Sequence, residues 1–293
     1  VHLIEVGSHD GQLAVDILQR LESVDLLSRW RYSIIEPLES RRNIQKAHLR
    51  GYGYADCVCW LDELNASELD PVFLFSNELI DSLPVERVQF EGARWREQWV
   101  TAADPGWRWI VGPEVDDAML EEIQHWKIPE ISGMTTELHL VAKKWAAQIG
   151  QRLRNGLVLT IDYGYRAEEY YAPHRKDGTL RGYFRHRQVS HPLHRPGLQD
   201  LTVHAPFDLL IEVGQQNGLE TIHLQDQHHF LVQAARLGFL REMEQQMQAA
   251  VDHSKARKWL QAFQTLMHPE SMGTSFHCLL QAKGQMAQRL KEA

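Results

Sequence analysis

Short apolar runs alternate with helical stripes along the first half of the chain. His2–Val6 is an apolar run ending at Gly7. Asp10–Leu21 follows, with Leu13, Ile17, Leu18 and Leu21 at the spacing of one helical face. Tyr32–Ile35 is the next run and stops at Glu36-Pro37, because proline cannot donate to a continuing ladder. Arg41–Leu49 has a short helix pattern. Cys57–Trp60 is a third strand pattern with Asp62 and Glu63 just beyond it, and Val72–Phe75 is a fourth. Such alternation predicts a parallel sheet with helices on both faces.

The period then changes. Val85–Phe90, Trp95–Val100 and Trp107–Val111 alternate every second residue, with Glu91-Gly92 as a turn, which predicts an antiparallel insertion over residues 85–112. Leu138, Val141, Trp145, Ile149 and Leu153 keep helical spacing until Asn155-Gly156 stops it. Leu157–Ile161 reads as a fifth core strand ending at Asp162-Tyr163-Gly164. Residues 163–204 are aromatic, rich in Arg and His and without regular periodicity, and they predict a long loop or lid. Phe207–Gln216 reads as a helix and Leu219–Leu224 as a strand. A helical insertion is expected over 228–268, carried by the stripes Leu237, Leu240, Met243, Met247, Val251 and Trp259, Phe263, Leu266. Ser275–Gln281 is the last strand. One domain over residues 1–293 is the expected organisation.

Composition narrows the classes. The formal net charge of -8 argues against a protein that grips nucleic acid through a basic face. Three cysteines, Cys57, Cys59 and Cys278, fit a reducing compartment without a disulfide framework. Cys57-Val-Cys59 lacks zinc-knuckle spacing and reads as a pair of buried thiols. His186, His191 and His194 match no helical ligand pair, so no metal is expected. No stretch reaches the roughly 18 to 20 apolar residues of a membrane span. The chain opens inside a strand, so a segment before Val1 is expected.

Open α/β sheets bind ligands beyond the carboxyl ends of their strands. The residues predicted there are Glu5-Val6-Gly7, Glu36, Asp62, Ser76-Asn77-Glu78 and Asp162-Tyr163. Most tips end in a carboxylate, where a phosphate site would show Gly-rich amides and a Lys. A carboxylate rim suits a cationic, hydroxyl-rich ligand such as S-adenosyl-L-methionine. Glu5 would receive its amino group, directly or through water, Glu36 both ribose hydroxyls and Asp62 the adenine amine, with Gly7 and Gly11 giving close backbone approach. The spacing Gly7-x-x-x-Gly11 also serves nicotinamide and flavin enzymes.

The stretch "FSNELIDSLPVERV" (75–88) resembles the Asn-Glu-x-x-Asp-(Ala/Ser)-Leu-Pro-Val signature of the MidA family of class I methyltransferases. "RWREQWV" (94–100), "LTIDYGY" (159–165), "GTLRGYFRH" (178–186) and "PGLQDLTVHAPFDLL" (196–210) resemble later blocks of that family, in order. The resemblance implies a Rossmann-like class I fold with a mostly parallel seven-stranded sheet and an antiparallel last strand. It implies S-adenosyl-L-methionine as cofactor and transfer to an arginine nitrogen of a protein, the family including a respiratory-complex assembly methyltransferase of mitochondria. Glu78 and Asp81 would then pair with the guanidinium and Asn77 would orient them, with Asp162, Tyr163 and His204 on the substrate side. A bacterial cytoplasm or a mitochondrial matrix, a respiratory-complex subunit as partner and a homodimer are compatible with it. The family's loop has a glycine where this chain has His9, whose side chain either crowds the cofactor or points away. A Gly-Asp-Phe block found N-terminal in the family is not in this sequence. Three alternatives stay open: a nucleotide-dependent oxidoreductase, a non-catalytic assembly factor with the same fold, and a methyltransferase for a small molecule or RNA.

Overall fold

A computed structural model describes residues 1–64, 70–104, 106–185, 187–235, 253–268 and 272–292. In chain order the elements are β1 (His2–Val6), α1 (Gln12–Ser23), β2 (Arg31–Ile35), α2 (Glu39–Gly51), β3 (Val58–Leu61), β4 (Val72–Asn77), β5 (Glu86–Glu91), β6 (Arg94–Ala102), β7 (Trp107–Glu114), α3 (Asp117–His125), β8 (Thr135–Leu138), α4 (Leu140–Arg152), β9 (Gly156–Tyr165), α5 (Ala167–Tyr170), β10 (Arg181–Phe184), β11 (Arg187–Gln188), β12 (Asp200–Thr202), β13 (Ala205–Pro206), α6 (Phe207–Gln216), β14 (Glu220–Asp226), α7 (Gln227–Ala234), α8 (His253–Met267), β15 (Phe276–Lys283) and α9 (Gln285–Glu292). Internal contacts group them into two compact units. One holds Val1–Asn77, Arg152–Tyr163 and Gly218–Ala293; the other holds Glu78–Gln151 and Gly164–Asn217.

The first unit carries the main sheet, in the order β14-β15-β9-β4-β1-β2-β3. The β1–β2, β2–β3, β1–β4 and β4–β9 pairs are parallel, and β15 runs antiparallel to both β9 and β14. The strand order reverses between β1 and β4, which places a ligand crevice beyond their carboxyl ends. Leu3, Tyr32, Ile34 and Phe75 pack in one core with Ala14, Val15 and Leu18 of α1 and Leu49 of α2. The stripe that α1 buries is therefore Ala14, Val15 and Leu18, and Leu13 is exposed rather than on the core face.

Four expectations need correction here. β15 goes on pairing with β9 through Asp162↔His277 and Tyr163↔Phe276, and β13 pairs with Gly164 and Tyr165 beyond, so Asp162 lies within a strand and not at its tip. Cys57 and Cys59 are exposed: Cys57 lies in the 3-10 turn Ala55–Cys57 ahead of β3, and Cys59 is on β3, the edge strand with a neighbour on one side only. Leu138 ends a strand, β8, and does not start the following helix. Within 163–204, β10, β11 and β12 form a three-stranded antiparallel sheet, whose strands are too short to register as periodicity. The stripe Leu237–Val251 lies outside the described residues, whereas the 253–267 segment is helix α8.

The second unit is built on a four-stranded antiparallel sheet, β7-β6-β5-β8. Gly92 and Ala93 both take positive φ, the backbone of a two-residue hairpin turn. Val88, Phe90 and Trp95 from the sheet meet Met119 and Ile123 of α3, and Met134, Leu138 and Tyr170 complete that core. The Asp116 side chain caps α3 by accepting from the Met119 N–H at 2.8 Å.

Candidate functional site

In the first unit the loop from β1 to α1 is wound by three left-handed residues: Gly7 at φ 78°, His9 at 46° and Gly11 at 89°. Gly11 heads α1 with no side-chain cap, and its left-handed backbone is one that L side chains rarely adopt. A helix N-terminus directed past a strand tip favours an anionic group. His9 takes a glycine-like backbone, yet its side chain is 82% exposed, so it points away from the loop interior. His9→Gly is accordingly expected to leave S-adenosyl-homocysteine affinity within about twofold and to relax the backbone slightly. A large loss of affinity in titration calorimetry would show the imidazole to be a contact.

Glu36 follows β2 directly and is 6% exposed. Its Oε1 accepts from the Leu38 N–H at 3.1 Å and its Oε2 from the Gln45 amide at 3.2 Å. Gln45, wholly buried on α2, donates through the same nitrogen to the His9 carbonyl at 3.1 Å, and its oxygen accepts from the Trp60 indole at 2.9 Å. Arg42 donates to the Glu36 carbonyl and pairs with Asp62, whose side chain is 84% exposed. The Gly7–Gly11 loop, Glu36 and Asp62 are thus joined through two side chains of one helix. A carboxylate offers about four acceptor positions over its two oxygens. Glu36 uses two, and the rest suit a pair of hydroxyl donors.

Glu5 is buried deeper, 3% exposed, and accepts from the Tyr32 hydroxyl at 2.6 Å. Burial raises its pKa above the usual carboxylate value, with the Tyr32 hydrogen bond opposing. Asp162 is fully buried and accepts from the Tyr163 N–H at 2.9 Å, and the Tyr163 ring meets Phe276 edge-on at 5.5 Å. Asn77, the last residue of β4, is exposed.

In the second unit Glu78 is exposed and takes a left-handed backbone, φ 51°, without being glycine. Ile80–Ser82 form a short 3-10 turn, pinned by fully buried Ile80, and Asp81 is 4% exposed. The Asp81 carbonyl accepts from the Val203 N–H at 2.9 Å. The next N–H, of His204, donates to Thr179 Oγ1 at 3.1 Å. The His204 ring stacks on Tyr165 at 4.7 Å. Burial, with Arg175 and Arg181 nearby, lowers its pKa to about 4, so it is neutral at pH 7.

Thr179 belongs to a buried network that the sequence reading missed. Glu137 on β8 is fully buried. It accepts from the Thr179 N–H at 2.8 Å, the Thr179 hydroxyl at 3.2 Å, the Leu180 N–H at 3.3 Å and the Tyr170 hydroxyl at 3.4 Å, and Arg87 Nε lies 3.5 Å away. Tyr170 also meets Thr179 Oγ1 and His139 Nε2, each at 2.8 Å. Burial lowers the His139 pKa to about 3. Gly178 sits so close that a Cβ there would come within 2.3 Å of Glu137 Oε1. The available sequence signal was Gly178-Thr179 inside a family-like block; no spacing marked its partner, 42 residues earlier. Gln45 carried no signal, since a Gln on a polar helix looks exposed. Among the described residues no group of three His, Cys, Asp or Glu side chains could hold a metal; His186 lies outside them. Among the described residues no helix is long and apolar enough to cross a membrane.

A family profile described as "Putative S-adenosyl-L-methionine-dependent methyltransferase" matches residues 1–225. The chain belongs to this methyltransferase family. A crystal structure from Burkholderia thailandensis, solved with S-adenosyl-homocysteine bound, is 28% identical with a TM-score of 0.82; the match covers 96% of this chain and 71% of that one. Two curated relatives carry the name protein arginine methyltransferase NDUFAF7, mitochondrial. The Rattus norvegicus protein is 25% identical over 275 residues, covering 90% of this chain, and the Xenopus tropicalis protein 22% over 280 residues, covering 94%. The chain spans 57% and 59% of their lengths. The strand order and antiparallel β15 are those expected of a class I methyltransferase fold.

Proposed function

We propose that the chain binds S-adenosyl-L-methionine and transfers its methyl group to an arginine nitrogen of a protein. The observation that carries the cofactor half is the Glu36 carboxylate, held by Gln45 and the Leu38 N–H and tied to the glycine loop. Its two remaining acceptor positions fit a ribose diol. The uncapped start of α1 suits the ligand's carboxylate. Glu5 acts at one remove, holding Tyr32 beneath the β1 tip, and Asp62 acts together with Arg42 toward the adenine. When bound, S-adenosyl-L-methionine supplies a methyl group activated by a sulfonium. The protein's remaining task is to hold the acceptor nitrogen in line and to manage its charge.

A guanidinium stays protonated at neutral pH, with a pKa of roughly 12.5 to 13.8. A carboxylate paired with its far side draws the positive charge there and fixes the planar fork. Glu78 takes that role, with Asp81 supporting it and Asn77 orienting it; Asp162, Tyr163 and neutral His204 serve the acceptor's surroundings. The arginine reading draws on the names of the relatives and on the Asn77-Glu78-x-x-Asp81 block.

Glu36→Ala is expected to weaken S-adenosyl-homocysteine binding at least about 100-fold, since two hydrogen bonds to a charged acceptor are lost. Titration calorimetry checks this, and an unchanged affinity would remove Glu36 from the site. Transfer of labelled methyl groups to protein arginine, followed in the full-length protein, checks the second half. Binding without any transfer would favour a non-catalytic assembly role.

A further inference from the structure

We infer that Gln45 is a positioning residue for the ribose: it sets the Glu36 carboxylate and locks it to the glycine loop. The inference rests on the proposed use of S-adenosyl-L-methionine. A fully buried position on a helix facing the core is ordinarily apolar. Here it is a glutamine with each of its polar atoms engaged: the nitrogen with the His9 carbonyl and Glu36 Oε2, the oxygen with the Trp60 indole. An indole N–H only donates, so the Trp60 bond decides which end of the amide is oxygen and prevents a flip. The nitrogen must then face two acceptors, one on each neighbouring strand tip. One amide thereby connects the loop after β1, the carboxylate after β2 and the indole on β3.

Without that amide, Glu36 keeps a single fixed oxygen, on the Leu38 N–H. The other oxygen is free to rotate, and the open acceptor positions no longer point in one direction. An isolated carboxylate on a flexible side chain orders poorly for two hydroxyls at once, and that ordering cost falls on binding. The share of the effect that falls on Glu36 is specific to the ribose, whereas the bond to the His9 carbonyl steadies the glycine loop and bears on any ligand seated there.

The test compares S-adenosyl-homocysteine with its 2′,3′-dideoxyribose counterpart by titration calorimetry, in wild type, Gln45→Met and Trp60→Phe. Gln45→Met keeps length and apolar volume but removes the hydrogen bonds. Trp60→Phe keeps an aromatic ring against the core and under Lys46 and removes the bond that fixes the amide, along with part of the indole's packing. The expected result is about a tenfold loss of S-adenosyl-homocysteine affinity in Gln45→Met and a smaller loss in Trp60→Phe. In both variants affinity for the dideoxy counterpart should fall clearly less, because that ligand loses only what the bond to the glycine loop contributes. Equal losses for both ligands, or none for either, would overturn the inference while leaving the cofactor reading intact. Failure of wild type to bind S-adenosyl-homocysteine would overturn both. If Gln45→Met shows no cooperative thermal transition, Trp60→Phe decides by the same ratio.

Discussion

Glu78→Gln is expected to lower methyl transfer to protein arginine by about 10²- to 10³-fold, with S-adenosyl-homocysteine affinity unchanged within about twofold. The range is that of removing one preorganised electrostatic partner from a reacting centre. Glutamine keeps the shape and one acceptor but not the charge, so it can still hold a guanidinium N–H without drawing positive charge away from the attacking nitrogen. Glu78 stands at φ 51°, immediately after β4, where glycine would fit with less strain. A buried anchor, Ile80, and the Val203 N–H to Asp81 carbonyl bond hold the turn that follows it. Single-turnover rates together with calorimetry separate the two effects. Turnover retained within a few-fold would end the guanidinium role. A parallel loss of cofactor affinity would move Glu78 to the cofactor instead.

Regular elements with a strong period could be read from the sequence. The β1, β2 and β4 runs, the α6 helix Phe207–Gln216 and the period-two insertion lie where their patterns place them. The three strands are near-continuous buried runs, and in the helix and the insertion the apolar residues repeat at the helical or two-residue period. The short strands β10–β12 leave no period to read, and two other misreadings have a different cause, that the neighbour was unknown. Nothing local says that β15 pairs with β9 as far as Phe276, and that pairing is what carries the strand past Asp162. Nor does anything in Cys57-Val-Cys59 say that Cys57 falls in a turn and Cys59 on an edge strand, which leaves both thiols exposed.

The site divides in the same way. Glu36 could be found as one of several carboxylates at the ends of successive strand runs, a pattern that local sequence shows. Gln45 could not, because its meaning comes from His9, Glu36 and Trp60 arriving around it, at separations of 36, 9 and 15 residues. Asp62 was assigned toward the ligand by its place after β3. The Arg42 pairing that occupies it depends on which face of α2 lies over the sheet, and a single sequence does not state that.

Glu137→Ala is expected to cost about 3 to 5 kcal/mol of stability, the scale for removing one partner of a buried charged network. The fully buried carboxylate satisfies two backbone N–H groups and the Thr179 hydroxyl, and it stands 3.5 Å from Arg87 Nε. Arg87 has other partners, donating to the Asp177 carbonyl at 2.9 Å and stacking over Trp109 at 4.7 Å, so its own loss is moderated. The N–H groups of Thr179 and Leu180 have no such substitute, and an unsatisfied buried donor carries its full desolvation cost. The damage then runs along bonded neighbours. Thr179 loses its anchor, and its hydroxyl is the acceptor for the His204 N–H. Val203, one residue earlier, donates to the Asp81 carbonyl, so the turn after Glu78 loosens with it. Glu137→Gln should fall between wild type and alanine, because an amide offers one acceptor oxygen where two are in use. Thermal unfolding gives the ranking, and amide exchange over residues 178–204 gives the place, with protection lost there first in Glu137→Ala. A melting temperature within a degree or so of wild type, with that segment still protected, would mean that the buried carboxylate holds neither the segment nor the turn.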